Sequence, residues 1–518
     1  MQTIRTDCLV IGAGLAGSAY ALRAAGSGLA VELLSLADPL SANSDWAQGG
    51  IIYDTSPDPA ALARDILAAG DHMSNPEAVD QLVREGPRIV KQTLIDDLGV
   101  AFDRDASGRL DLTREGGHGE RRIIHARDAT GHAILSAAAR RVDATPRITR
   151  RAGFVAVDLL TLSHNSAQPA DKYQPLTCFG AYVLDTRTGE VAAVVAKKTV
   201  LACGGLGQIF LHTTNQPGSV GHWVAMAYRV GARLIDLEYV QFHPTVFAKK
   251  NAPRFLISES VRGEGAVLVN SRGERFMDGA HPQGSLAPRD VVARAIRDEL
   301  ASSGEPCVFL DLSSMPPGFA RERFPNIHER CLSHGVDIER EPVPVVPSAH
   351  FACGGVHTDL NGRTNIRNLT AIGETACTGL HGANRLASTS LLECLTGATF
   401  AAAADAADIA QGSFRLPAPS PWESPTRQAD PVLVRQDMLL IQHTMWNYAG
   451  VVRSPRRLTR ARRILLELRE EIQSFYRGCA PTRELVELRN AVQTALLVVH
   501  AAALNPVSKG CHFVTPED

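Results

Sequence analysis

The stretch DCLVIGAGLAGSAYALRAA, Asp7–Ala25, decides the fold. Asp7–Ile11 is a short apolar run, read as a buried parallel strand. Gly12-Ala13-Gly14-Leu15-Ala16-Gly17 follows without a spacer, and an Ala-rich helix is predicted over Ser18–Ala25. A second strand is predicted over Ala30–Leu34. This strand–helix–strand start carries G-x-G-x-x-G at its first turn, where backbone N–H groups and a helix N-terminus can hold a pyrophosphate. The context points to a dinucleotide-binding α/β fold. The acidic residue that such a site sets against a ribose is missing from the second strand's end. Glu32 lies mid-strand and Ser35 takes the end. Either could serve, and Ser35 is the better placed.

Outward from this start, Ser41–Gly50 (SANSDWAQGG) is a small polar loop ending in Gln48-Gly49-Gly50, a form that lets backbone approach a bound group or simply crosses the surface. Ala60–Leu98 reads as largely helical. Asp111–Gly131 is Gly-broken and rich in ionisable residues with no helical stripe, the pattern of an active-site loop. Strands are predicted at Phe154–Leu160, Gly180–Leu184 and Ala193–Ala202. The last runs into Cys203-Gly204-Gly205, a second close approach to the dinucleotide. Residues 160–177 read as a polar, mobile surface insertion.

Leu237–His350 breaks the α/β rhythm with His- and Arg-rich segments, a strand at Ala266–Asn270 and an amphipathic helix from Pro288 to Ala301. It reads as an inserted α+β capping domain. Residues 411–431 hold five Pro and read as a linker. Helices follow at Leu458–Tyr476 and Leu485–Leu504. The expected division is 1–236 and 352–415 for a Rossmann-like dinucleotide domain, 237–351 for the cap and 416–518 for a C-terminal helical bundle. Arg453, Arg456, Arg457, Arg460, Arg462 and Arg463 read as one solvated helix face, because Glu467, Glu470 and Glu471 follow directly.

Bulk composition agrees with a globular chain. The 518 residues suggest about three domains. Hydrophobic content is 45% and formal net charge is -2, which leaves no basic excess for nucleic acid. Ten scattered Cys without C-x-x-C read as buried thiols of a reducing cytoplasm, with no metal site. Neither a signal peptide nor a membrane span is expected.

Thr378–Cys394, TGLHGANRLASTSLLEC, passes from a Gly-punctuated loop through Arg385 into an apolar helix. The Ser388-Thr389-Ser390 run is read as the helix N-cap. A helix mouth and a guanidinium just upstream make an anion site. Gln241, His243, Ser258, Glu259, Arg262, Arg289 and His350 supply further candidates, since a small dicarboxylate needs a clamp for each carboxylate. Each has a plain alternative: core histidines, a loop amide, and structural ion pairs of Arg262 and Arg289 with Glu259, Glu264 or Asp290.

The segments Asp236–Thr245, Ser258–Met277, Leu286–Ile296, Ala349–Thr364 and Ala371–Cys394 resemble the succinate dehydrogenase/fumarate reductase flavoprotein superfamily. Within it, Arg114–His118 (REGGH) and Met445–Leu458 (MWNYAGVVRSPRRL) resemble the L-aspartate oxidase family. The resemblance implies FAD, held non-covalently because Ser44–Gln48 lacks the tethering His of the dehydrogenases. It implies oxidation of L-aspartate to iminoaspartate with O2 (giving H2O2) or fumarate (giving succinate) as acceptor, feeding quinolinate and NAD synthesis.

The roles it implies are as follows. Gly12, Gly14 and Gly17 hold the pyrophosphate, Ser44, Gln48, Gly49 and Gly50 line the flavin, and Glu374 holds a ribose. Ser390 and Leu391 meet the flavin ring. His243, Ser258, His350 and Arg385 bind carboxylates, with Gln241 beside them. Glu115 faces the α-ammonium. Arg289 beside Glu259 moves a proton, although a guanidinium is a poor base and its chemistry alone suggests a clamp. Where the family has Asp-Gly, this chain has His222-Trp223, which unsettles the adenosine or capping contacts there. A soluble fumarate reductase uses the same clamps. A membrane-docked electron-transfer subunit would need the absent tether. Quinolinate synthase is a candidate downstream partner, and the chain is expected as monomer or homodimer.

Overall fold

The computed structural model describes residues 1–516 apart from 39, 57 and 251. Its central sheet runs, edge to edge, Ile148–Ala152, Val31–Ser35, Thr3–Ile11, Val191–Leu201, Cys178–Asp185, Phe154–Thr161. The first four strands are parallel, and the last two pair antiparallel. The C-terminal end of Val191–Leu201 takes a further parallel partner, Leu369–Ala371. Chain that leaves for the cap thus returns to the same sheet.

The first strand ends in four fully inward residues, Cys8–Ile11, as its apolar run dictates. Gly12 has φ +114, and a Cβ there would strike the Ala202 carbonyl oxygen. Only glycine lets these two strand ends lie so close. The helix that follows is Leu15–Gly26, three residues earlier than the predicted start, because the glycine turn already lies within its first turn. Gly17 packs onto the Gly12 carbonyl.

The cap holds an antiparallel sheet, Val240–Phe247, Val343–Ala352, Val308–Asp311, Val267–Val269. It has its own core of residues between Phe247 and Val345. The Val240–Phe247 ladder shifts register between His243 and Val246. Pro244 lies in that gap and cannot donate to a ladder, which accounts for the bulge. The helix Arg289–Ser303 packs across this sheet.

Helices Pro431–Ala449, Pro455–Gly478 and Arg483–Leu504 form the C-terminal bundle. It shares one core with the short helix His222–Arg229, where Trp223 is fully buried. Arg456, Arg457, Arg460, Arg462 and Arg463 are exposed, as expected. Arg453 is a correction: it is fully buried, donating to the carbonyls of Gly450 (3.2 Å) and Glu238 (2.7 Å) and to His512 Nδ1 (2.7 Å). A second correction concerns 160–177. This segment forms a short helix and a 3-10 turn fastened to 418–420, with Asp171 paired to Arg415.

Beyond Leu504 the chain doubles back as an extended strap. Cys511 N donates to Ala383 O (2.9 Å), Cys511 Sγ to Asn384 Oδ1 (3.2 Å), and Arg294 Nη1 to Gly510 O (2.8 Å).

Candidate active site

Two cavities meet along the carboxyl edge of the sheet. One is walled by Gly12–Ala16, Ser35, Asp38, Phe154–Ala156, Gly204 and His222. The other is walled by Gln48–Gly50, Glu115, His243, Ser258, Glu259, Arg289, His350, Arg385, Ser390 and Leu391. Asn43, Ser44, Glu374 and Cys394 belong to both walls. An elongated ligand can therefore lie with one end in each.

The first cavity fits a dinucleotide. Leu15 N, at the helix mouth, donates to Ser44 Oγ (3.2 Å). Ser35 reaches the wall, whereas Glu32 is spent on an ion pair with Arg151 (2.7 Å). Asp38, three residues past the strand, adds an acidic group to this end of the wall. Gly17 does not reach the wall. Where the cavities join, Glu374 Oε1 accepts from Ala352 N (3.0 Å), and burial outweighs that bond and the Arg385 guanidinium to push its carboxyl up to about 7. Among the described residues Gln48 Oε1 is buried with no partner, an acceptor waiting for a ligand donor.

In the second cavity, Arg385 donates through Nη1 to Ser390 Oγ (2.8 Å) and through Nη2 to His350 Nε2 (3.1 Å), and lies over the Phe351 ring. Arginine can only donate, so His350 Nε2 accepts and its Nδ1–H donates to Thr214 (2.7 Å). His243 Nδ1 accepts from Thr245 N (3.3 Å), which leaves its Nε2–H free to donate into the cavity. Burial, then the nearby guanidiniums, holds both imidazoles well below the usual histidine range, so both are neutral donors or acceptors at pH 7. Burial, then Arg289, lowers Arg385 to about 10, which keeps it cationic.

Arg289 opens its helix. Its Nε meets Glu259 Oε2 (2.5 Å) and its Nη1 donates to Gln241 Oε1 (2.9 Å). Among the described residues its Nη2 has no partner. Glu259 also pairs with Arg262 (3.3 Å), and the two cations outweigh burial to hold its carboxyl below the ordinary range. Asp290 pairs with Arg294 instead of Arg289.

Gln241 is a correction. It does not reach the cavity wall, and its amide donates to Asn384 Oδ1 (2.7 Å) and Arg385 O (2.8 Å) while accepting from Arg289. It positions the two arginines rather than touching a ligand. Asn384 continues the chain to Asp290 (3.0 Å) and to Cys511 of the strap.

Glu115 accepts from Ser260 Oγ (2.9 Å) and Ser388 Oγ (2.6 Å). Gly49 is required beneath it, because a Cβ there would strike Glu115 Oε1. The serine run does not cap the Thr389–Gln411 helix. Ser388 is left-handed at φ 57 with no capping bond, Thr389 Oγ1 turns to Leu386 O (2.7 Å), and Ser390 receives Arg385. An N-cap needs extended backbone, which Ser388 does not have. Ser258 does cap its own short helix, accepting from Ser260 N (3.2 Å). Ser260, Ser388, Thr214 and Asn384 were not singled out as functional from the sequence. Ser260, Ser388 and Asn384 lie beside named candidates and Thr214 does not, and the partners of all four are distant in the chain.

The FAD binding domain family model matches residues 7–391. The L-aspartate oxidase 1 of Ralstonia nicotianae is 45% identical over 516 residues, covering 98% of this chain and 94% of that protein. The L-aspartate oxidase of Halobacterium salinarum is 44% identical over 523 residues, covering 99% and 97%. Among solved structures, a variant of the E. coli quinol fumarate reductase superposes with a TM-score of 0.88 at 26% identity, covering 99% of this chain and 92% of that one. Two cavities that suit a dinucleotide and a small dianion, on this architecture and with these relatives, give one answer: the chain belongs to the L-aspartate oxidase family of FAD-binding flavoproteins.

Proposed function

We propose that this chain oxidises L-aspartate to iminoaspartate with non-covalent FAD, and passes the electrons to O2 or to fumarate. The observation that carries the reading is Glu115, a buried carboxylate in the same cavity as Arg385, Arg289 and His243. An amino acid needs a partner for its ammonium, and a plain dicarboxylate does not.

Bound FAD would supply the two-electron acceptor for the hydride leaving Cα, and the ammonium releases one N–H proton to solvent so that its lone pair can form the C=N bond. Arg385 and the His243 Nε2–H bind carboxylate oxygens, and His350 fixes the Arg385 fork. Glu115 accepts from the ammonium and so orients Cα. Arg289 presents Nη2, held in place by Glu259 and Gln241. With a C4 dicarboxylate this group either clamps an oxygen or delivers a proton to carbon, the proton being replaced through Glu259.

Anaerobic titration with L-aspartate should bleach the visible flavin band, and succinate should not. No bleaching by aspartate sinks the proposal. The fold's likeness to a quinol fumarate reductase keeps a soluble fumarate reductase as the second reading; bleaching by succinate alone would favour it.

The wider setting rests on the same reading: a cytoplasmic enzyme, monomer or homodimer, handing an unstable imine to quinolinate synthase. No described helix is long and apolar enough to cross a membrane. We divide the chain as 1–236 with 352–415 for FAD, 237–351 for the cap and 416–518 for the helices. The cap's separate core supports that division.

A further inference from the structure

His222 opens the His222–Arg229 helix and lies in the wall of the first cavity, with Met226 one turn further along the same face. Its Nδ1 is 2.8 Å from Asn490 Nδ2, and Asn490 Oδ1 is 2.9 Å from Arg229 Nη1. Arginine can only donate, so the Asn490 amide has one orientation: oxygen toward Arg229, NH2 toward His222. The His222 Nδ1 must then be a bare lone pair, and the hydrogen sits on Nε2. Burial, with Arg483 and Arg229 nearby, lowers this histidine to about 4, so the ring is neutral and carries that single hydrogen. Among the described residues Nε2 has no hydrogen-bond partner, and it is buried. A folded protein rarely leaves such a donor bare.

The cavity dictates what meets it. The glycine turn takes the pyrophosphate. Ser35 and Asp38, past the second strand, suit ribose hydroxyls. The flavin end lies with Gln48–Gly50 and Ser390 in the other cavity. The wall formed by Phe154–Ala156, Met226 and His222 remains for the flat, largely apolar base.

We propose that His222 Nε2–H donates a hydrogen bond to a ring nitrogen of the FAD adenine, with Asn490 as the positioning residue that fixes the tautomer. The C-terminal bundle thereby becomes part of the cofactor site, since Asn490 lies on the Arg483–Leu504 helix. The inference rests on FAD as cofactor and is independent of the substrate.

The test is binding to apoprotein at pH 8, followed by fluorescence. His222→Leu should weaken FAD and ADP about tenfold, the effect of one lost hydrogen bond, and leave FMN unchanged. His222→Gln, which keeps an N–H at the end of a side chain of similar reach, should recover most of the loss. Asn490→Asp keeps Arg229 paired but draws the hydrogen to Nδ1, and should weaken FAD and ADP by a like factor. One deaza-adenine analogue of ADP should bind wild type and His222→Leu equally. Unchanged FAD affinity in His222→Leu overturns the proposal. So does an equal fall for FMN, which would mean a collapsed wall, or a difference that survives every deaza analogue. If His222→Leu fails to fold, Asn490→Asp and His222→Gln decide by the same criteria.

Discussion

Arg385 has its fork spread over Ser390, His350 and the Phe351 ring, and among the described residues its buried Nε has no partner. It is a fixed cation awaiting an anion. Arg385→Leu should raise the KM for aspartate by about 100-fold or more while FAD stays bound, since hydrogen bonds to a charged group are worth about 1.5–3 kcal/mol each. FAD lost on purification of that variant would make the residue structural instead. Glu115→Gln should cut kcat/KM for aspartate by about 100-fold and barely alter the use of fumarate as acceptor, which stopped-flow reoxidation measures. Glu374 gives a pH signature. Its carboxyl is raised to about 7, and a hydroxyl of the FAD ribityl chain donating to it where the cavities join favours the ionised form. FAD affinity should therefore tighten roughly tenfold from pH 6 to pH 8 and level off above. A flat titration curve would mean that no cofactor hydroxyl donates to Glu374. At this scale the sequence was informative about charges and poor about their partners. Arg385, Glu115 and His243 stand out as residue types, but Ser260, Thr214 and Asn384 acquire their roles only when residues more than a hundred positions apart meet. Gln241 misled for the same reason, because its amide is consumed by Arg289, Arg385 and Asn384.

The Thr389–Gln411 helix is the element that joins cofactor and substrate. Its existence follows from the apolar sequence, but its first turn does not follow from propensity. Three adjacent hydroxyls look like caps, yet a left-handed Ser388 aims each of them elsewhere. A single non-glycine residue in that region costs about 1 kcal/mol. Ser388→Gly should thus be about 1 kcal/mol more stable than Ser388→Ala in urea unfolding, while the two lose the same share of aspartate turnover, since both remove the donor to Glu115. Equal stability of the pair would mean that the backbone stores no strain there. The Val240–Phe247 strand makes a similar point. Pro244 accounts for its bulge, but nothing local announced that His243 would be aimed into the cavity as a neutral donor.

Across the whole molecule, His222 and His243, which are buried, and His212 and His350, which are half-buried, are pulled below their ordinary value, mainly by desolvation. The unfolded chain binds protons that the native protein refuses, so stability rises with pH. Their contribution is complete above the unfolded value of 6.5 and is lost as pH falls toward about 4, where His212 and His222 titrate. The urea midpoint of the apoprotein should fall steeply from pH 7 to pH 5; a constant midpoint would show these histidines to be hydrated. The architecture at this scale was largely readable: a glycine turn between strand and helix, a His- and Arg-rich insertion, a proline-rich linker, then amphipathic helices. What no local pattern announced is the return of the strap, or that Arg453, one of six in an outwardly polar run, would be buried to hold it. That return has a temporal consequence. Cys511 braces Ala383 and Asn384, so the loop carrying Arg385 lacks its support until 126 further residues have been synthesised. At ~5–20 residues per second that is roughly 6–25 s during which the glycine turn already exists but the substrate clamp does not. A chain halted between Leu504 and Cys511 thus has the helix that carries Asn490, and with it the whole cofactor wall, but lacks the brace of its substrate clamp.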